Sequence, residues 1–104
     1  MKDTYRHKGL RRQLIDSLEQ KGINDKRVLS VMMQLPRHFF MDNAFEELAY
    51  EDKAFPIGND QTISQPYTVA YQTCLLNVQK RDKILDVVTG SAYQAASLAL
   101  LRAR

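Results

Sequence analysis

The sequence predicts an α/β fold present only in part, and three observations predict it. The first half of the chain is a quick succession of short amphipathic helices with brief connections. Residues 83–88 then form a short apolar run with Ile84, Val87 and Val88, which suits a strand buried on both faces. A small-residue turn, Thr89-Gly90-Ser91-Ala92, and a helix from Tyr93 follow that strand directly. A doubly covered strand needs neighbours on its edges, yet no second parallel strand follows within the 104 residues. The chain therefore reads as the front of an α/β domain, incomplete, with a helical region over residues 1–60 and a second part opening at 61–104. Its length suits one small domain rather than two.

Taken in order, Asp3 and Thr4 can cap a first helix running to about Lys21. Leu10, Leu14 and Leu18, with Ile15 beside them, make one apolar stripe. Gly22 is a natural stop. Asn24 or Asp25 caps a second helix whose buried face is Val28, Val31, Met32 and Leu35, and Pro36 ends it. Asp42 or Asn43 opens a third, shorter helix through about Tyr50, with Phe45 and Leu48 turned inward. Residues 51–61 show no period and hold Pro56, Gly58, Asn59 and Asp60, so they read as a loop. A fourth helix starts near Pro66 and runs to about Val78, with Val69, Ala70, Thr73, Leu75 and Leu76 packed. Residues 79–82 make a polar turn before the strand, and the final helix runs from Tyr93 to about Arg102.

Hydrophobic residues make up 44% and charged residues 26%, the balance of a soluble globular protein. No apolar run approaches the roughly 18 residues of a membrane span, and no apolar h-region follows the charged N-terminus. The single cysteine, Cys74, cannot form an internal disulfide and reads as a buried thiol on a helix face. Together these features point to the cytoplasm. The net charge is +3, with much of the excess early, at Lys2, Arg6, His7, Lys8, Arg11 and Arg12. These residues read as a solvated face. A nucleic-acid contact is the weaker reading, because no aromatic or glycine pattern of such a module accompanies them.

Two stretches carry the chemistry. In Gln61-Thr62-Ile63-Ser64-Gln65-Pro66-Tyr67, Ser64 and Gln65 are cap candidates and Pro66 fits the first helical turn. Such a helix start is either simply capped or offers free N–H groups to a carboxylate or another anion. The strand, turn and helix over 83–96 match the corner of doubly wound folds where a ligand sits beyond the carboxyl end of a strand. With one glycine, the turn alone also fits an ordinary strand-to-helix connection.

Read together with Gly22-Ile23-Asn24-Asp25-Lys26-Arg27-Val28-Leu29, Leu35-Pro36-Arg37-His38-Phe39-Phe40, Ala49-Tyr50-Glu51-Asp52 and Ala54-Phe55-Pro56-Ile57-Gly58, the two stretches carry a resemblance. In their order and spacing, the chain resembles protein-L-isoaspartate O-methyltransferase over nearly its whole length. The resemblance implies a Rossmann-like, S-adenosylmethionine-dependent methyltransferase domain. It also implies a repair activity, in which the α-carboxylate of L-isoaspartyl residues in damaged proteins is esterified. The attack is SN2, by a carboxylate already ionised at pH 7, so positioning and desolvation matter more than a strong base.

By the same resemblance, Ser64 is the active-site residue, orienting the carboxylate or methyl donor by hydrogen bonding. Gln61, Thr62, Ile63 and Ser64 line the cofactor cleft. Asp86 anchors the cofactor's amino acid portion, and Thr89, Gly90 and Ser91 form the turn passing it. Ile57 and Gly58, with Ser64, sit beside the peptide substrate, and no metal is implied. The turn departs from the family at Val88 and Ala92, where glycine is usual, and each change could cost on the order of 1–3 kcal/mol. The family's enzymes are also about twice as long, near the ~200 residues of a full doubly wound domain. The expectation is a truncated member with impaired activity. The alternatives are a non-catalytic fragment that self-associates through the edges of residues 84–88 or binds a partner, and a basic nucleic-acid-binding module.

Overall fold

The computed structural model describes residues 2–58, 61–76 and 93–102. Its centre is α2 (Lys26–Gln34), which packs against α1 (Tyr5–Gln20), α3 (Pro66–Leu76) and α4 (Tyr93–Arg102). The sequence of α2 explains this place. Val28, Leu29, Val31 and Met32 are all buried, leaving only its ends for charge and amide groups. Asp25 starts the helix by accepting bonds from the N–H groups of Arg27 (3.0 Å) and Val28 (3.4 Å). Pro36 stops it by forcing Leu35 into an extended conformation, ψ 120°.

Thr4 caps α1 with a capping box in which His7 stands where glutamate is usual. The His7 N–H donates to the Thr4 hydroxyl (3.2 Å), and the Thr4 N–H donates back to His7 Nδ1 (3.3 Å). Leu14, Ile15 and Leu18 form the buried stripe, and Leu10 packs partly buried against it. At the far end, the Ile23 N–H reaches the Leu18 carbonyl (3.0 Å) and the Gly22 N–H reaches Glu19 (3.1 Å). This Schellman closure needs a left-handed residue, which Gly22 supplies at φ 104°. The buried Ile23 and Leu18 complete it on the apolar side.

Three expectations for the middle of the chain are corrected. The third helix is not α-helical: residues 37–50 hold two short 3₁₀ turns, Arg37–Phe40 and Asn43–Leu48, separated by an extended Met41. Asp42 makes no capping bond, so nothing sets an α-helical start there. Phe45 still packs inward, its ring 5.7 Å from that of Phe55, but Leu48 is exposed. The loop over 51–61 contains an antiparallel hairpin, β1 (Phe55–Gly58) with β2 (Gln61–Ile63). Phe55 faces Ile63 and both are buried, whereas Pro56 faces Thr62 and both are exposed. The register shifts between Pro56 and Gly58. The period of two is present, but a four-residue strand containing proline gives too short a run to stand out.

In α3, Val69, Ala70 and Thr73 are buried as expected, but Leu75 and Leu76 are exposed. Tyr71 and Leu75 lie on the helix face opposite Val69, and Leu76 lies at the described end of the helix. Cys74 is half-buried and unpaired, and burial raises its thiol pKa. The described part of the chain is thus mostly helical with a small two-stranded sheet. The expected strand at 83–88 and turn at 89–92 lie outside the described residues. No helix among the described residues is long and apolar enough to cross a membrane.

Candidate functional site

Ser64 lies at the junction between the end of β2 and the start of α3, half-buried. Ile63 before it is wholly buried and anchors the junction to the core, while Thr62 faces outward. Gln61 opens β2 opposite Gly58, and Ile57 packs partly buried against the core. The structure thus gathers Ile57, Gly58, Gln61, Thr62, Ile63 and Ser64 on one hairpin and its exit. Asp86, Thr89, Gly90 and Ser91 lie outside the described residues. Among the described residues, the Ser64 hydroxyl has no hydrogen-bond partner and no imidazole base bonded to it, so it offers one donor and two lone pairs to a ligand.

Two residues of the quoted stretches prove to hold this junction. Asp52 reaches across and accepts the Tyr67 N–H at 2.8 Å, while its other oxygen pairs with Lys21. The anion at the start of α3 is therefore the chain's own carboxylate, and the expected caps Ser64 and Gln65 do not fill that role. Burial opposes ionisation of Asp52, but Lys21, the Tyr67 N–H and the Gln65 side chain outweigh it and hold the carboxyl below its ordinary pKa.

Arg37, from the first 3₁₀ turn, is wholly buried. Its Nε donates to the Ala49 carbonyl (2.9 Å), and its Nη2 donates to the carbonyls of Lys53 (3.2 Å) and Ser64 (2.9 Å). The guanidinium lies over the Tyr93 ring at 5.2 Å, and Nη1 has no hydrogen-bond partner among the described residues. Burial pulls the Arg37 pKa down, against the influence of Tyr93, Asp52 and Tyr50; burial also pushes the Tyr93 hydroxyl up to about 12. In the sequence Arg37 stands in the family stretch Leu35-Pro36-Arg37-His38-Phe39-Phe40, a cation among mostly apolar neighbours.

A second polar cluster lies under the N-terminal segment. Arg11 Nη1 donates to the Tyr50 hydroxyl (2.9 Å), which meets His38 Nδ1 at 2.8 Å, and His38 Nε2 meets the Lys2 carbonyl at 2.9 Å. Since a carbonyl only accepts, Nε2 carries a proton, and in the neutral ring Tyr50 donates to Nδ1. Asp3, His7 and His38 offer three ligand atoms close together. They do not suit one metal ion, because the two imidazoles are stacked 3.7 Å apart at 15°. Their lone pairs then run nearly parallel in separate planes and do not converge. Arg11 also takes both oxygens of Asp3. The expectation of a solvated basic face holds for Lys2, Arg6, Lys8 and Arg12, which are exposed, with Arg6 paired to Glu47 and Arg12 to Asp16; it is corrected for His7 and Arg11, which are buried in this network.

Asp3 is held below its ordinary pKa by its bond to Arg11, against partial burial. Depressed folded-state values mean that the unfolded chain binds more protons, so stability is present above about pH 4 and is lost as pH falls below it. Thermal melts from pH 5 to pH 2 are expected to show this fall, and Asp3→Asn and Asp52→Asn should each flatten it.

The junction at Ser64 thus leads from β2 directly into α3. The model for the protein-L-isoaspartate(D-aspartate) O-methyltransferase family matches residues 9–103. The chain belongs to that family. Over all 104 of its residues it is 59% identical to the protein-L-isoaspartate O-methyltransferases of Christiangramia forsetii and Flavobacterium johnsoniae, covering 49% of each. It is 54% identical to that of Salinibacter ruber over 96% of this chain and 43% of the relative. The chain spans about half the length of the curated relatives it matches.

Proposed function

We propose that this chain takes part in S-adenosylmethionine-dependent methylation of the α-carboxylate of L-isoaspartyl residues in damaged proteins, in the cytoplasm. The observation that carries the reading is the sustained identity to relatives named for that reaction, from end to end of the chain. The local chemistry supports it. The half-buried Ser64 hydroxyl, unpartnered among the described residues, suits a hydrogen bond to a carboxylate oxygen, and the lack of a base beside it among those residues suits a substrate already ionised at pH 7. When bound, the cofactor supplies an electrophilic methyl group. Thr62 and Ser64 are the described polar side chains that fit beside it; Gln61 lies on the same strand, and Asp86, Thr89, Gly90 and Ser91 are assigned to it by family resemblance. Residues 61–104 would form the start of the cofactor-binding part, and residues 1–60, with Ile57 and Gly58, the substrate side.

Excess S-adenosylhomocysteine, at ~100 times its dissociation constant, should stabilise the fold by roughly 2.7 kcal/mol in a thermal melt. Ser64→Ala should keep that response and weaken capture of an isoaspartyl peptide by about ten-fold, the worth of one hydrogen bond to a charged group. A melt unmoved by the cofactor product, together with equal peptide binding by both proteins, would overturn the reading. The nucleic-acid alternative is disfavoured by the inward turn of His7 and Arg11 and the pairing of Arg6 and Arg12.

A further inference from the structure

We infer that Arg37 is a positioning residue for Ser64, a buried clamp that fixes where the serine hydroxyl is presented. The inference rests on the reading of Ser64 as the substrate-side hydroxyl. One planar guanidinium gathers three backbone carbonyls, those of Ala49, Lys53 and Ser64, from separate parts of the chain. No carboxylate among the described residues pairs with it. A buried cation with no direct salt bridge among the described residues is a poor device for stability alone, since well-packed apolar residues usually do as well or better. What the fork does provide is geometry, because its donors are rigid and coplanar.

The junction is held at two points, Ser64 itself and Tyr67. Upstream of α3, Arg37 holds the Ser64 carbonyl itself. Three residues further on, Asp52 holds the Tyr67 N–H. Asp52 lies between Ala49 and Lys53, the two residues whose carbonyls the same guanidinium holds. Both restraints on the junction therefore run through one arginine. Loss of the fork should free the carbonyl of Ser64 directly and loosen the hold of Asp52 through the segment that carries it.

Hydrogen–deuterium exchange on the chain and on Arg37→Lys, which keeps the charge but not the fork, tests this. Exchange over residues 61–67 should rise by at least roughly ten-fold, as expected for a lost charged hydrogen bond. Exchange in α1 should stay at the unmodified rate. Affinity for an isoaspartyl peptide should fall in step with the loosening. An even rise across α1, α2 and the junction would make Arg37 a general support of the fold and overturn the proposal, as would no change at 61–67. If Arg37→Lys does not fold, nuclear magnetic resonance on the unmodified chain decides. A through-hydrogen-bond coupling from an Arg37 side-chain nitrogen to the Ser64 carbonyl carbon supports the clamp, and its absence overturns it. If the unmodified chain binds no peptide, the role given to Ser64 fails, while the exchange pattern still decides whether the clamp exists.

Discussion

Arg11→Met is expected to destabilise the chain by about 3–5 kcal/mol, the usual cost of removing one partner from a buried charge network. Arg11 is only 4% exposed, although it sits in a segment that looks uniformly basic. Its Nε donates to the Met33 carbonyl at 2.7 Å, tying α1 to α2. Its two terminal nitrogens take both oxygens of Asp3 and the Tyr50 hydroxyl. Methionine would fill much of the same volume but leave a part-buried carbonyl, a buried phenol and a half-screened carboxylate without their donor. Urea denaturation should show a lower midpoint with little change in slope, since the surface exposed on unfolding stays nearly the same. Asp3→Asn should cost less, because that side chain keeps partial contact with water.

Leu18→Ala should cost about 2–5 kcal/mol, as buried leucine truncations do. Leu18 has no exposed surface, and its carbonyl accepts the closing bond of α1 while its side chain meets the buried Ile23 region. For a domain of this size, Tm should fall by at least roughly 10 °C. Leu75→Ala is the matched control. It removes the same atoms from a side chain that is 68% exposed, and stability should stay within about 0.5 kcal/mol. Differential scanning calorimetry on the three proteins checks both statements.

The long elements were legible because each carried its own punctuation. Thr4, Gly22, Asp25 and Pro36 mark the ends of α1 and α2 by local chemistry, and the leucine stripe of α1 reports its buried face directly. The residues between Pro36 and Ser64 were less legible because their structure is decided at a distance. A proline-containing strand of four residues becomes a strand only when β2 pairs with it. The 3₁₀ turns around Met41 persist because Arg37 and His38 are bonded to residues far along the chain. The orientation of Arg11 could not be read from charge alone, since its partners Asp3, Met33 and Tyr50 lie on three segments. For the site, Ser64 and its neighbours were found through the family pattern. Asp52 and Arg37 stood in the same pattern, but only coordinates show which backbone groups they hold.

The central place of α2 also bears on how the chain acquires its structure during synthesis. The pairing of α1 with α2 is local and can form as soon as both have been made. The rest of the α2 contact must wait, because α4 packs on it and Arg27 donates to the carbonyl of Leu101 across 74 positions of sequence. A nascent chain carrying only the first two helices would therefore display part of its apolar interior until residues near 100 emerge. Contacts of such long separation slow folding and leave intermediates open to association. Chaperone engagement with the apolar face of α2 is expected in that interval of translation and to lessen on that face once α4 has docked.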